Sequence, residues 1–181
     1  MLKKKGIIRH IIELGIIFGV VLLLRVFLFN PVEVIGTSME PNYHESDRLW
    51  QMTFIEPERF DIATFPSPRT GNLIVKRIVG LPGDTIRYED DQLYINEKAY
   101  DEAYLDEFKA QLDGNQPLTN DFTLETLDAT QSATVPEGKY FVLGDNRQIA
   151  DDSRYFGFVD KDDIQGVVYF RFFPFNKIGV Q

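Results

Sequence analysis

An apolar run from residue 7 to residue 29 opens the chain, and its 23 residues exceed the roughly 20 that a helix needs to cross a bilayer. Arg9, His10, Glu13 and Arg25 interrupt it, leaving 14–24 as an uncharged core of 11 residues. Glu13 and Arg25 flank that core closely enough to snorkel toward headgroups. A cleaved secretory signal, a buried core helix and an interfacial helix share such a pattern with a retained anchor. A cleaved signal ends in a small-x-small site, whereas this run ends in Phe27, Leu28 and Phe29, then Asn30-Pro31. A retained transmembrane anchor over 7–29 is therefore expected, with a short N-terminus over 1–6 and an extracytoplasmic domain over 30–181.

Beyond Pro31 the pattern changes to short runs of Val, Ile, Phe and Tyr bounded by Gly, Pro and acidic turns, the signature of strands. Strands are expected at 32–35, 48–54, 60–65, 73–79, 85–88, 92–96, 139–143 and 164–173, with Tyr88-Glu89-Asp90-Asp91-Gln92 closing a hairpin. Helical periodicity appears once in this part, at 103–112, where Leu105, Phe108 and Leu112 recur at spacings of three and four. That helix opens a polar segment, 101–134, that reads as an insertion between two halves of a β core. The fold class is mainly β.

Charge sharpens this division. The net charge of -9 splits into +4 over residues 1–30 and -13 over the remainder. Lys3-Lys4-Lys5 precede the apolar run, so the positive-inside tendency puts the N-terminus in the cytoplasm and the acidic domain outside. The acidic domain excludes phosphate-backbone binding, so no nucleic-acid partner is expected. The absence of cysteine removes disulfides, thiol nucleophiles and thiolate metal sites.

Three segments carry residues capable of chemistry. In Leu73-Ile74-Val75-Lys76-Arg77-Ile78-Val79, side chains alternate across the strand, so Ile74, Lys76 and Ile78 share one face and Leu73, Val75, Arg77 and Val79 the other. Each cation lies among apolar neighbours, and at most one easily reaches water. A desolvated lysine loses its proton far below its ordinary pKa of about 10.4 and acts as a base; a lysine snorkelling from an edge strand, or paired with an acid, gives the same pattern. Ser38 in Ile35-Gly36-Thr37-Ser38-Met39-Glu40-Pro41 sits in a turn shaped by Gly36 and Pro41, as a nucleophile or an ordinary turn serine does. With only His10 and His44 present, and no Ser-x-x-Lys, a histidine triad and a penicillin-binding type of site are poor fits. The third segment, Gly144-Asp145-Asn146-Arg147 followed by Asp151-Asp152-Ser153-Arg154-Tyr155-Phe156-Gly157, suits ion pairs that fix a loop better than a calcium loop. No metal or cofactor is expected.

Together these segments resemble the bacterial type I signal peptidases, especially the single-span Gram-positive kind. The match runs through Ser38-Met39-Glu40-Pro41, Arg59-Phe60-Asp61-Ile62, then Val75-Lys76-Arg77-Ile78-Val79-Gly80-Leu81-Pro82-Gly83-Asp84, and finally Gly144-Asp145-Asn146-Arg147 with Asp152-Ser153-Arg154. It spans nearly everything except 101–134, a region that varies in such enzymes. The resemblance implies a membrane-anchored serine endopeptidase with Ser38 as nucleophile and Lys76 as general base, cleaving signal peptides from secreted preproteins. It implies that Asp145, Arg147, Asp152 and Arg154 are scaffolding for the base strand, that the Ser38 N–H donates to the oxyanion, and that the protein is a monomer in contact with membrane lipid. Ser38 lies nine residues after Phe29, so the linker spans at most roughly 32 Å and keeps it near the membrane face. Trp50, Phe54, Phe172, Phe173 and Phe175 are then candidates for the lipid interface, with core packing the expected role for most.

The chain departs from the family in three places. After Ser-Met-x-Pro the family usually has Thr-Leu and later Gly-Asp, where this chain has Asn42-Tyr43 and Ser46-Asp47. Ala150 stands where the family commonly has a serine whose hydroxyl orients the lysine, a role that water or Ser153 could fill. Gly36 replaces a serine that assists the oxyanion in some relatives. These departures keep a second expectation open: a peptidase-like factor that binds signal peptides or assists assembly of surface subunits without cutting. A self-cleaving repressor of the same clan fits poorly, because an anchor stands where DNA-binding residues would.

Overall fold

The structure, a computed structural model, describes residues 2–28, 30–111 and 116–180. Helix α1 (Leu2–Leu28) covers the apolar run; Phe29 lies outside the described residues. Among the described residues no helix is long and apolar enough to cross a membrane, so the helix is established and the expected crossing is not. Arg9, His10 and Glu13 break the apolar run within its first turns, and Arg9 and Glu13 pair at 2.8 Å.

After α1 the chain forms β1 (Asn30–Glu33), β2 (Arg48–Met52), β3 (Ile62–Pro66), β4 (Leu73–Gly80), β5 (Ile86–Glu89), β6 (Gln92–Ile95) and β7 (Lys98–Tyr100). A short α2 (Asp106–Lys109) and β8 (Phe122–Thr123) follow, then β9 (Lys139–Leu143), α3 (Ser153–Phe156), β10 (Val159–Asp160), β11 (Gly166–Phe173) and β12 (Gly179–Val180). One antiparallel sheet has the order β1-β2-β11-β3-β4-β9-β10, with β12 added to β11; a second has the order β7-β6-β5-β8. The mainly β expectation holds, and each expected strand is present within about two residues at either end, as boundary reading allows.

The differences have local causes. The expected 60–65 strand starts at Ile62 because Phe60 takes a positive φ of 72° in the turn before it. Strand β7 went unread because Asn96 and Glu97, at φ 52° and 63°, form a tight reversal that folds it onto β6. Asp90 and Asp91, at φ 51° and 63°, close the expected β5–β6 hairpin in the same way. The expected 103–112 helix shrinks to a 3-10 turn, Ala103–Leu105, and α2; Leu112 lies outside the described residues. Leu105 is buried there but Phe108 only partly.

β4 is the strand on which the packing converges. Val75 packs with Val34, Met39 and Tyr43, Ile78 with Phe65, Tyr140 and Val142, and Val79 with Ile86, Tyr88 and Phe141 across to the second sheet. At Gly80 a side chain would run into Ile86 of β5 and lie 2.9 Å from the Phe141 Cβ on the neighbouring strand, so the second sheet approaches β4 there over glycine. Segment 101–134 packs into this arrangement: β8 pairs with β5, and Leu105, Leu118 and Leu124 are buried. Its Glu102 meets Arg147 at 2.6 Å with both side chains almost wholly buried. The five aromatics assigned mainly to core packing are otherwise placed: Phe54, Phe173 and Phe175 are exposed and Trp50 and Phe172 half-buried, because their strand positions fall on the outer face of β2 and β11 and the loops beside them.

Removing Glu102 would strand the Arg147 guanidinium without its carboxylate, a loss of about 3–5 kcal/mol for a buried pair. Glu102→Ala is expected to lower the melting temperature of the full chain in detergent, measured by circular dichroism, far more than Glu97→Ala, whose side chain is 80% exposed.

Candidate active site

Ser38 sits five residues beyond β1 in a loop held by short-range bonds, Glu40 N–H to the Thr37 carbonyl (3.2 Å) and Tyr43 N–H to the Met39 carbonyl (2.9 Å). Met39 and Tyr43 are buried and anchor the loop in the core, while Ser38 stays half-buried and reachable. The segment after β9 holds it from the other side. Asn146 donates from its backbone N–H to the Ser38 carbonyl (3.0 Å) and from its side-chain amide to the Thr37 carbonyl (3.3 Å). At Gly144 a side chain would lie 2.6 Å from the Ser38 carbonyl oxygen and 2.4 Å from the Ala150 Cβ, so glycine is what lets this segment approach the loop.

The same loop meets β4. Lys76 Nζ lies 2.7 Å from Ser38 Oγ and donates to the Val75 carbonyl at 3.1 Å. Both cations of β4 are buried, Lys76 at 3% and Arg77 at 8% exposure, within the expectation that at most one would easily reach water. The snorkelling or acid-paired lysine is thereby replaced by an amine facing a hydroxyl. Arg77, on the opposite face, gives Nε and Nη2 to Asp145 at 2.8 and 2.6 Å and Nη1 to the Phe60 carbonyl at 2.9 Å, its guanidinium stacked 3.8 Å from the Tyr104 ring centre.

Burial pushes the Lys76 ammonium below the ordinary lysine range, opposed by the charges of Asp152, Asp151 and Asp145. Each of those acids is held by an arginine. Asp145 takes Arg77; Asp152 takes Arg154 Nε and Nη2, both at 2.8 Å, and also the Gly144 N–H at 3.0 Å; Asp151 meets Arg69 at 3.2 Å. A neutral amine 2.7 Å from a hydroxyl can take its proton, which makes the serine oxygen nucleophilic.

The four expected scaffold residues divide by what they touch. Asp145 holds Arg77, the neighbour of Lys76 on β4. Arg147, fully buried, points toward the second sheet, bonding Glu102, the Tyr88 hydroxyl and Thr119. Asp152 and Arg154 brace the loop itself, Arg154 reaching the Arg147 carbonyl at 2.8 Å. Ser153 Oγ accepts the Val142 N–H at 2.9 Å and so is turned into β9, away from the role considered for it beside Ala150. Asn146, Gly144 and Glu102 were given no role from the sequence, Asn42 was noted only as a departure from the family and Arg77 only as the second cation of β4. Four of these five stand inside or beside the quoted motifs, but the partners of Arg77, Asn42, Asn146 and Glu102 are 45 to 109 residues away.

β4 also has an open edge. Ile78 exchanges its backbone bonds with Phe60 and Asp61, so by alternation Lys76 and Ile74 also face β3 while Val75 and Leu73 turn their N–H and C=O groups the other way. β9 pairs with β4 only from Arg77 onward and departs at Gly144. Among the described residues no strand covers the Leu73–Lys76 half of that edge, which ends at the Ser38–Lys76 contact.

The family model for signal peptidase, peptidase S26, matches residues 7–173. Among known proteins, the chain is 41% identical to the signal peptidase I of Bacillus licheniformis, over 97% of this chain and 94% of that one. It is 38% identical to signal peptidase I U of Bacillus subtilis strain 168, over 98% and 94%. A crystal structure of a signal peptidase I from Enterococcus faecalis V583 superposes with a TM-score of 0.62 and 58% identity, covering 62% of this chain and 97% of that chain. A two-sheet β fold carrying a buried amine against a reachable serine is of the serine hydrolase class. The chain belongs to the signal peptidase family, peptidase S26, and is a serine endopeptidase.

The lowered Lys76 pKa has a consequence for stability. The unfolded chain keeps the Lys76 proton up to about pH 10.4, whereas the folded chain releases it at lower pH. Between those two pH values the unfolded state binds more protons, so stability rises with pH across the window. Lys76→Met removes this dependence, and its melting temperature is expected to exceed that of the native chain at acidic and neutral pH, with the gap narrowing as pH increases. A constant gap would show that Lys76 titrates alike in both states.

Proposed function

We propose that the chain removes signal peptides from secreted preproteins, cleaving after a small-x-small site with Ser38 as nucleophile and Lys76 as general base. The observation that carries this reading is the 2.7 Å separation of Lys76 Nζ from Ser38 Oγ with the amine buried. Lys76 takes the hydroxyl proton as Ser38 Oγ attacks the scissile carbonyl, and the Ser38 main-chain N–H donates to the oxyanion. Collapse of the tetrahedral species passes that proton from Lys76 to the leaving amine and leaves an acyl group on Ser38. Lys76, neutral again, activates the water that releases it. The preprotein binds extended along the open half of β4, where Val75 and Leu73 supply backbone donors and acceptors, with its carbonyl brought to Ser38.

The same reading places the protein in the cytoplasmic membrane, single-pass through α1, with the N-terminus inside and the β domain outside. Supporting it, Ile11, Leu14, Ile16, Ile17, Phe18, Val20 and Val21 are all exposed, so the described side chains in the middle of α1 present apolar surface around the helix. The Arg9–Glu13 pair offsets part of the penalty of its charges. Exposed Phe54, Phe173 and Phe175 suit the headgroup region.

With purified protein and a lipid-linked preprotein, cleavage after the small-x-small site is expected to vanish in both Ser38→Ala and Lys76→Ala. It is expected to rise with pH on the acid side as Lys76 deprotonates, and to persist with chelator present. Undiminished cleavage by Lys76→Ala would sink the dyad.

Carbonate washing of membranes is expected to leave the chain in the pellet, and protease added to intact protoplasts to degrade the β domain. Release into the wash, or protection of that domain, would overturn the placement.

A further inference from the structure

We infer that Asn42 is the positioning residue that keeps the nucleophile loop in register with the base strand, an inference that rests on the reading of Ser38 and Lys76 as the reacting pair. Nucleophile and base stand on separate elements 38 residues apart, and a productive geometry tolerates displacements of only about 0.5 Å. Asn146 clasps the start of the loop at Thr37 and Ser38. Four residues further on, Asn42 secures its far end. Its side-chain amide donates one proton to Asp145 Oδ2 at 2.8 Å and the other to the Tyr104 carbonyl at 2.8 Å.

Asp145 is fully buried and is the same carboxylate that holds Arg77, the residue next to Lys76 on β4. Loop, amide, carboxylate, guanidinium and base strand thus form one continuous chain of bonds. The main chain at this point is fixed as well: the Asn42 carbonyl accepts Arg171 Nη1 from β11 at 2.7 Å. Packing of Met39 and Tyr43 holds the loop down, but apolar contact is non-directional and by itself does not oppose sliding along β4. Asn146 supplies direction at the start of the loop, and the paired donors of Asn42 supply it at the far end, toward the carboxylate that holds the base strand.

The chemistry of the position is narrow. Aspartate would set a second carboxylate against Asp145, and threonine, with one hydroxyl proton, reaches one of the two acceptors. Loss of the amide lets the loop shift from Lys76 and water approach the amine, which favours its charged form, as Asp145, Asp151 and Asp152 already do.

The test uses the full chain in lipid vesicles with a lipid-linked preprotein, comparing native protein with Asn42→Ala, Asn42→Thr, Ser38→Ala and a core control, Leu124→Ala, which lies in the cluster of the second sheet. Turnover and its pH profile are read beside the titration of Lys76 by lysine-selective NMR, its signal assigned by its loss in Lys76→Met. Asn42→Ala is expected to lower kcat between about tenfold and a hundredfold with KM unchanged, and to move both the acid limb and the Lys76 titration to higher pH. Asn42→Thr is expected to do the same to a lesser degree and serves if the alanine variant does not fold. Leu124→Ala is expected to lower the melting temperature and move neither. An Asn42→Ala, or Asn42→Thr, protein with native kcat and an unmoved Lys76 titration would overturn the inference, as would the same shifts in Leu124→Ala. Cleavage that persists in Ser38→Ala overturns the dyad reading instead, and a Lys76 titration displaced by loss of the amide in a chain that cuts nothing leaves the positioning intact while removing the substrate.

Discussion

The site depends on a primary amine buried with no carboxylate among the described residues paired to it. Lysine seldom occupies the interior unless paired, and the chain is acidic enough to supply partners on every side. What prevents pairing is competition. Asp145, Asp151 and Asp152, the three acids whose charge Lys76 senses, are engaged by Arg77, Arg69 and Arg154. Guanidinium takes a carboxylate bidentately and stays charged at any relevant pH, so it wins over the single ammonium. With the acids occupied, desolvation prevails and the amine is left to the serine hydroxyl 2.7 Å away.

Those ion pairs are also the joints of the fold. Burying a guanidinium and a carboxylate is no bargain in stability against apolar packing of equal volume, but the pairs are directional where apolar contact is not. Arg77–Asp145 links β4 to the segment after β9, and Asn42 extends that link to the Ser38 loop. Arg147–Glu102 draws segment 101–134 against the same segment, with Tyr88 of the second sheet completing the contact. Residues 144–154 thereby become a hub whose main chain touches Ser38 at one end and, through Asp152, fixes its own turn at the other.

Much of this was readable from side-chain order. Period-two alternation located β4 and put Ile74 and Ile78 on one face, where they share a core cluster. Turn chemistry located the β5–β6 hairpin. The reading failed where two-residue reversals stood in for glycine, as at Asn96-Glu97 before β7, and where a helical period was carried past Leu105 although Phe108 is only partly buried. It also treated segment 101–134 as peripheral, because nothing in the local composition announces that Glu102 closes against an arginine 45 residues later.

The order of residues by itself determined the mainly β class, the apolar N-terminal helix and the charge division, and it marked Ser38 and Lys76 as candidates, because each is written in local periodicity or in short motifs. Tertiary structure alone decided that Lys76 would be buried and unpaired, that Arg77 would turn to Asp145, and that Asn42 would join the two. Those outcomes depend on which of many acids reaches which of several cations. That is settled only when β4, the Ser38 loop and residues 144–154 are brought together across long separations in sequence.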